Sequence, residues 1–231
     1  MVEGSSPSRP TISLPPMAQS RIPQSSQTGP HLRLEETVLR HLRHAWRSPV
    51  HDYSRRAFAE LAESMDFGRP MVLDSGCGTG ASTVALARRH PDCLVVGIDK
   101  SMVRLSKAPE LPANARLVRA DLADIWRLMA EAGLEPAHHY LLYPNPWPKP
   151  AHLKRRWHGH PAFPTLLALG GRLELRSNFD LYVDEFARAL ALAGVVDVKV
   201  VSFRSDDPIS PFERKYLLSG HRLFQLTAQL E

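Results

Sequence analysis

Leu34, Val38, Leu42 and Ala45 recur at helical spacing up to Trp46, and Phe58, Leu61, Ala62 and Met65 do so again after a break at Pro49. Two leading helices are predicted. From Met71 the pattern changes to short apolar runs alternating with longer amphipathic ones. Strands are expected at 71–73, 93–98, 116–119, 140–143, 172–176, 195–203 and 223–230, with helices ending near Arg89 and over 122–132 and 182–193,. Seven strands joined mostly by helical crossovers predict a doubly wound, mainly parallel α/β sheet, because right-handed crossovers are almost the only way such units close. Ligands in such sheets sit beyond the strand C-termini. Asp74, Asp99, Asp121, Asn145 and Asn178 all fall at or just after predicted strand ends.

Residues 1–30 hold six prolines and seven serines with little aliphatic periodicity. They read as a disordered tail without the apolar stretch of a secretory signal, leaving 31–231 as one domain with a helical extension. No run of about 18 apolar residues offers a membrane span. Cys77 and Cys93 are too few for a disulfide framework or a zinc site,. A soluble, cytoplasmic chain without a metal or a membrane partner is expected, with a monomer slightly favoured. The net charge of +5 and pI of about 9.5 suggest an acidic partner,. Arg33, Arg40, Arg43 and Arg47 form one basic cluster and Lys149, Lys154, Arg155 and Arg156 a second, which together suit a phosphate-binding surface.

In Asp74-Ser75-Gly76-Cys77-Gly78-Thr79-Gly80 the glycines permit a tight turn and close approach of a ligand to backbone amides at a helix start,. The run from Gly76 to Ala81 also satisfies a dinucleotide fingerprint,. Asp74, ahead of the glycines, argues for a different ligand: a carboxylate there repels a pyrophosphate and attracts the ammonium of a methionine moiety. Asp99 stands 25 residues later, where a carboxylate bonds ribose hydroxyls, and Asp121 is expected to reach an adenine amine, with Leu122 as its apolar cover,. This ordered set favours S-adenosylmethionine over another nucleotide. Cys77 reads as a small residue in a cramped loop, since nothing nearby would activate it as a nucleophile.

Tyr143-Pro144-Asn145-Pro146-Trp147-Pro148-Lys149 is followed by His152, Lys154-Arg155-Arg156, Gly170-Gly171, Ser177-Asn178, Tyr182, Ser210-Pro211-Phe212-Glu213 and Gly220-His221. These motifs resemble those of the bacterial tRNA (guanine-N7)-methyltransferase family, Rossmann-like class I enzymes, over about 71–230. The resemblance implies methyl transfer from S-adenosylmethionine to N7 of a guanine in tRNA. It also implies donor contacts from Asp74, Gly76, Gly78, Gly80, Asp99, Asp121 and Asn145, and substrate contacts from Lys149, Asn178 and Ser210 to Glu213. His152 and Arg155, with Trp147 and Trp157 interleaved, suit phosphate neutralisation and base stacking. Asn145 and Asn178 stand where the family carries aspartates, so two negative charges are missing.

Guanine N7 attacks with a lone pair that carries no proton, so positioning and electrostatics dominate and no general base is needed. Asn145 is the expected catalytic orienting group, and Glu213 is expected to supply the remaining carboxylate. An Asn-Pro turn also occurs in amino-directed base methyltransferases, although those usually continue Pro-aromatic. A methyltransferase for another base or a small molecule stays open, as does an RNA-binding relative with weak catalysis. His158 and His160 lack neighbouring acidic or Cys companions in the sequence, so neither is expected to bind metal.

Overall fold

The computed structural model describes residues 20–64 and 68–231. Two helices, α1 (Leu34–Arg43) and α2 (Asp52–Ser64), precede β1 (Met71–Ser75), α3 (Ala81–Arg89), β2 (Leu94–Asp99), α4 (Met102–Leu105), β3 (Ala115–Arg119), α5 (Leu122–Glu131) and β4 (His138–Leu142). Two short 3₁₀ turns, Pro150–Arg155 and Trp157–Gly159, then lead to α6 (Phe163–Leu167), β5 (Gly171–Ser177), α7 (Asp180–Leu192), β6 (Lys199–Phe203), α8 (Pro211–Leu218) and β7 (Leu223–Leu230). The strand order is β3-β2-β1-β4-β5-β7-β6. The first five strands pair in parallel, and β7 runs antiparallel to both β5 and β6.

Every residue of β1 and β2 is buried, as parallel strands covered on both faces require. On one face, α1, α2, α5, α6 and α7 surround a core containing Leu73, Trp126, Phe163 and Phe186. On the other, Leu86 and Ala87 of α3 and Leu217 of α8 pack around Val72, Val95 and Leu142. Strand order reverses between β1 and β4, so the crevice beyond their C-terminal ends is the topological switch point,.

The expected strand at 195–203 begins only at Lys199, where its ladder with β7 starts opposite Thr227. The expected strand at 71–73 extends through Asp74 and Ser75, which pair with Gly97 and Ile98. Met65 and residues 1–19 lie outside the described residues. Residues 20–30, expected to continue a disordered tail, lie along the domain instead. Ser20 N–H donates to Ser219 Oγ (3.0 Å), Ser25 Oγ to Pro148 O (2.6 Å) and Gln27 Nε2 to Glu185 Oε1 (3.0 Å). Low apolar content gives a segment little to bury, but here its polar groups find fixed partners on the fold. Among the described residues no helix is long and apolar enough to cross a membrane.

The seat of α3 on the sheet is tight at Gly97, where a Cβ would stand 2.1 Å from Thr83 Oγ1. Thr83 cannot retreat without giving up its 2.7 Å hydrogen bond to Asp74. Gly97→Ala is therefore expected to destabilise the fold by about 3 kcal/mol, the upper part of the usual overpacking range, read as a lower urea midpoint.

Candidate active site

The switch-point crevice is a cleft of about 480 Å³, within the roughly 300–1,000 Å³ of small-molecule sites. Gly76, Asp99 and Asp121 line it on one side and Asn145, Trp147 and Phe212 on the other. In the glycine turn, Gly76, Gly78 and Gly80 have φ of 82°, 63° and 78°, a left-handed conformation that favours glycine. A Cβ on Gly78 would meet nothing within 4 Å, whereas one on Gly80 would press to 2.8 Å from Leu117. Gly78 therefore presents bare backbone to open space, while Gly80 seats the turn on the fold.

Asp99 Oδ1 accepts from Ser101 N–H (2.8 Å) and pairs with Arg104 (2.9 Å), while Oδ2 accepts from Gly78 N–H (3.1 Å). Asp121 caps α5 by accepting from Ala123 N–H at 3.0 Å, beside Leu122, and both line the cleft. Asp74 sits within β1, 1% exposed, and is absent from the cleft lining. Ser82 Oγ and Thr83 Oγ1 both donate to its Oδ2 at 2.7 Å, and its buried Oδ1 has no partner. An orphan acceptor of this kind costs about 1–3 kcal/mol, and the N–H of a bound cation would satisfy it. Burial raises the Asp74 pKa to about 6, against the opposing hydroxyl bonds and with a further push from Asp99.

The loop after β4 is strained at both ends: Tyr143 has φ 52° and Trp147 φ 43°, left-handed conformations that cost non-glycine residues about 1–3 kcal/mol each. Between them Pro144 and Pro146 flank an exposed Asn145. At the first end, Tyr143 N–H donates to Arg176 O (2.7 Å) and its hydroxyl to Glu213 Oε2 (3.0 Å). At the second, Arg156 donates to Trp147 O (3.1 Å) and Lys149 O (3.3 Å).

Arg156 was expected among phosphate-binding cations, and the structure corrects this. It is 0% exposed and ion-paired with Glu185, itself 0% exposed, and also donates to Gln27 Oε1 at 2.7 Å. Its place in a basic run hid a partner on α7. His158 likewise has an acidic companion after all, donating from Nε2 to Glu185 at 2.9 Å. Burial favours the neutral form of Glu185, but the His158 ring and the Arg156 guanidinium outweigh it and hold the carboxyl at about 2. Among the described residues no group of three or more His, Cys, Asp or Glu could hold a metal ion.

Glu213 needs the same correction, because its carboxylate does not reach the cleft. It is 0% exposed and takes two bonds from Arg176 Nη1, at 2.9 and 3.0 Å, besides the Tyr143 hydroxyl. Ser210 caps α8 by accepting from Glu213 N–H (3.1 Å), so the Ser-Pro-Phe-Glu motif works locally as a helix start. Asn178 is buried and donates to His221 Nδ1 (3.0 Å), and His221 Nε2 donates to Ser20 O (2.9 Å). Of the two asparagines, only Asn145 lines the cleft. Lys149, Lys154 and Arg155 are exposed as expected. Arg155 lies 4.8 Å over the Trp147 ring, and His152 meets that ring edge-on at 5.3 Å.

Phe212, within the stretch expected to contact substrate, lines the cleft, and so does Tyr216, which the sequence pattern does not single out. Phe212 is 49% exposed and stacks on Tyr216 at 6.1 Å, and Tyr216 stacks on His221 at 5.2 Å. Their i, i+4 spacing behind a capped Ser-Pro start was the available signal.

Asp74 yields a pH-dependent prediction. Its folded pKa exceeds the ordinary 3.8, so the native state holds the proton more tightly than the unfolded chain, and the cost of ionised Asp74 is fully present only above its folded value. Asp74→Asn is expected to unfold at higher urea than the unsubstituted chain near pH 8, by at most about 3 kcal/mol. The gap should narrow as pH falls from about 6 toward 3.8. Urea titrations across that range check it; a pH-independent gap would contradict the assignment.

A family model described as "Putative methyltransferase" matches residues 68–212. The tRNA (guanine-N(7)-)-methyltransferase of Leifsonia xyli is 29% identical over 175 residues, covering 69% of this chain and 77% of that protein. The tRNA (guanine-N(7)-)-methyltransferase of Alkalilimnicola ehrlichii is 31% identical over 180 residues, covering 69% of this chain and 73% of its own length. Among solved structures, the 16S rRNA methyltransferase KamB superposes with a TM-score of 0.53 at 19% identity, covering 81% of this chain and 98% of that one, a likeness of fold. With its donor-type glycine turn, its Pro-Asn-Pro-Trp loop and relatives that share one name across most of their length, the chain belongs to the tRNA (guanine-N7)-methyltransferase family.

Proposed function

We propose that this chain transfers a methyl group from S-adenosylmethionine to N7 of a guanine in tRNA, a substrate that goes with a cytoplasmic setting. The observation that carries the reading is the cleft itself, where Asp99 and Asp121 face a strained loop that presents Asn145. The residues fit the donor: Gly76 brings the glycine turn to the cleft, Asp99 and Asp121 suit a ribose and an adenine amine, and Asp74, outside the lining, keeps an unpaired buried oxygen suited to an ammonium. Arg104, bound to Asp99 and half-exposed, is the partner that ribose hydroxyls would displace. When bound, the donor supplies an electrophilic methyl on a sulfonium.

The chain's own part is to hold guanine so that N7 faces that methyl group. Asn145 can give its amide hydrogens to O6 or accept a ring N–H through its carbonyl, without the charge of an aspartate. Trp147 and Phe212 supply apolar faces for the base, Lys149 and Lys154 neutralise phosphates outside the cleft, and Arg155 does so at its lining,. Glu213 contributes indirectly, by fixing Tyr143 and the start of α8.

Labelled methyl transfer to unmodified bulk tRNA, followed by nuclease digestion and nucleoside mass analysis, tests the reading. The expected product is 7-methylguanosine. Asn145→Ala should lower kcat by about 100-fold, the scale of losing one positioned polar group, while Asn145→Asp should retain or raise it. Donor binding without any methylated nucleoside would favour the RNA-binding relative over the enzyme.

A further inference from the structure

Beyond the two basic clusters legible in the sequence, a third gathers only in the fold. A groove of about 490 Å³ runs between α3 and the segment leading into α8, lined by Arg88 from one side and Ser210, Arg214 and Lys215 from the other. Arg88, Arg214 and Lys215 are exposed, and among the described residues none of their side chains has a hydrogen bond or ion pair. The one carboxylate in the lining, Asp207, is 89% exposed on its side chain and already paired with Arg89 at 2.7 Å. Three uncompensated cations along one groove repel one another and create a positive field that a polyanion relieves.

The position of α8 gives that field a direction. Phe212 and Tyr216 face the cleft, while Arg214 and Lys215 face the groove, so one helix is the ridge between them. A helix is about 10–12 Å across, so a backbone leaving the cleft reaches the groove within a short stretch.

We propose that this groove is a phosphate-binding track for the RNA backbone, taking the phosphates next to the nucleotide whose base enters the cleft. The inference rests on the RNA-substrate reading above and adds where the chain outside the target nucleotide runs. Arg88 and Arg214 are the principal contacts and Lys215 extends them.

The test is tRNA binding, measured by fluorescence anisotropy without donor over a series of salt concentrations, for the unsubstituted protein and for the double variant Arg88→Glu, Arg214→Glu. The expected result is a tRNA Kd raised at least about tenfold and a log–log salt slope reduced by about 1.4–1.8, since each of the two lost phosphate contacts contributes about 0.7–0.9. The KM for tRNA should rise with the Kd. Donor affinity and melting temperature should match the unsubstituted protein, because both side chains are exposed. Arg172→Glu, an exposed position at the opposite end of the sheet, is the control for total charge. Unchanged affinity and slope in the double variant, or an equal loss in Arg172→Glu, would overturn the proposal. The two readings separate cleanly: 7-methylguanosine formation with unchanged tRNA binding in the double variant sinks the groove alone. A groove-dependent Kd with no methylated product sinks the catalytic reading alone.

Discussion

The buried pair of Arg156 and Glu185 is the contact from which the cleft's outer wall hangs. Both groups are wholly withdrawn from water, an arrangement whose desolvation penalty can exceed its Coulombic gain, so the pair is a poor source of net stability. Its value lies in what else it holds. The guanidinium fixes the carbonyls of Trp147 and Lys149, and the carboxylate collects Gln27, the His31 amide and His158. One ion pair thus ties the stretch 27–31, the loop after β4 and α7 into a single unit, and removing either partner would leave a buried charge at a cost of about 3–5 kcal/mol.

A second buried pair, Arg176 with Glu213, does the same for the other end of that loop through the Tyr143 hydroxyl. The left-handed residues at 143 and 147 persist because both flanks are fixed by charge-assisted hydrogen bonds, and Asn145 is displayed between two anchored points. Such preorganisation suits a reaction that needs placement more than proton transfer. It also explains how a carboxylate can matter here without touching a substrate: Glu213 sets where Asn145 and Phe212 stand.

The sheet and the cofactor turn were legible because they rest on local rules. Apolar runs of strand length marked β1 to β5 and β7, and the glycines with Asp99 and Asp121 marked the cleft floor. What escaped depended on partners far apart in sequence. Arg156 sits in a basic run that reads as surface until Glu185 arrives from α7, and Arg176 is an ordinary strand residue until Glu213 closes on it. α8 is hidden because Ser210 to Glu213 presents a motif that masks a helix start. The polar segment at 20–30 has few apolar residues, and that lack says nothing of backbone and carboxylate partners waiting on the fold.

The placement of β7 also bears on how the chain is made. It lies between β5 and β6, and among the described residues β6 pairs with no other strand. During synthesis from the N-terminus the five parallel strands can assemble while β6 waits with both edges open. The half of the crevice carried by α8 already has its anchors, Arg176 and Tyr143, when it emerges. Until β7 slides in, the nascent chain carries an unpaired β5 edge, the kind of surface that invites mispairing. Completion of the sheet is thereby a late event, and until it happens the strand beside the cleft is held along one edge alone.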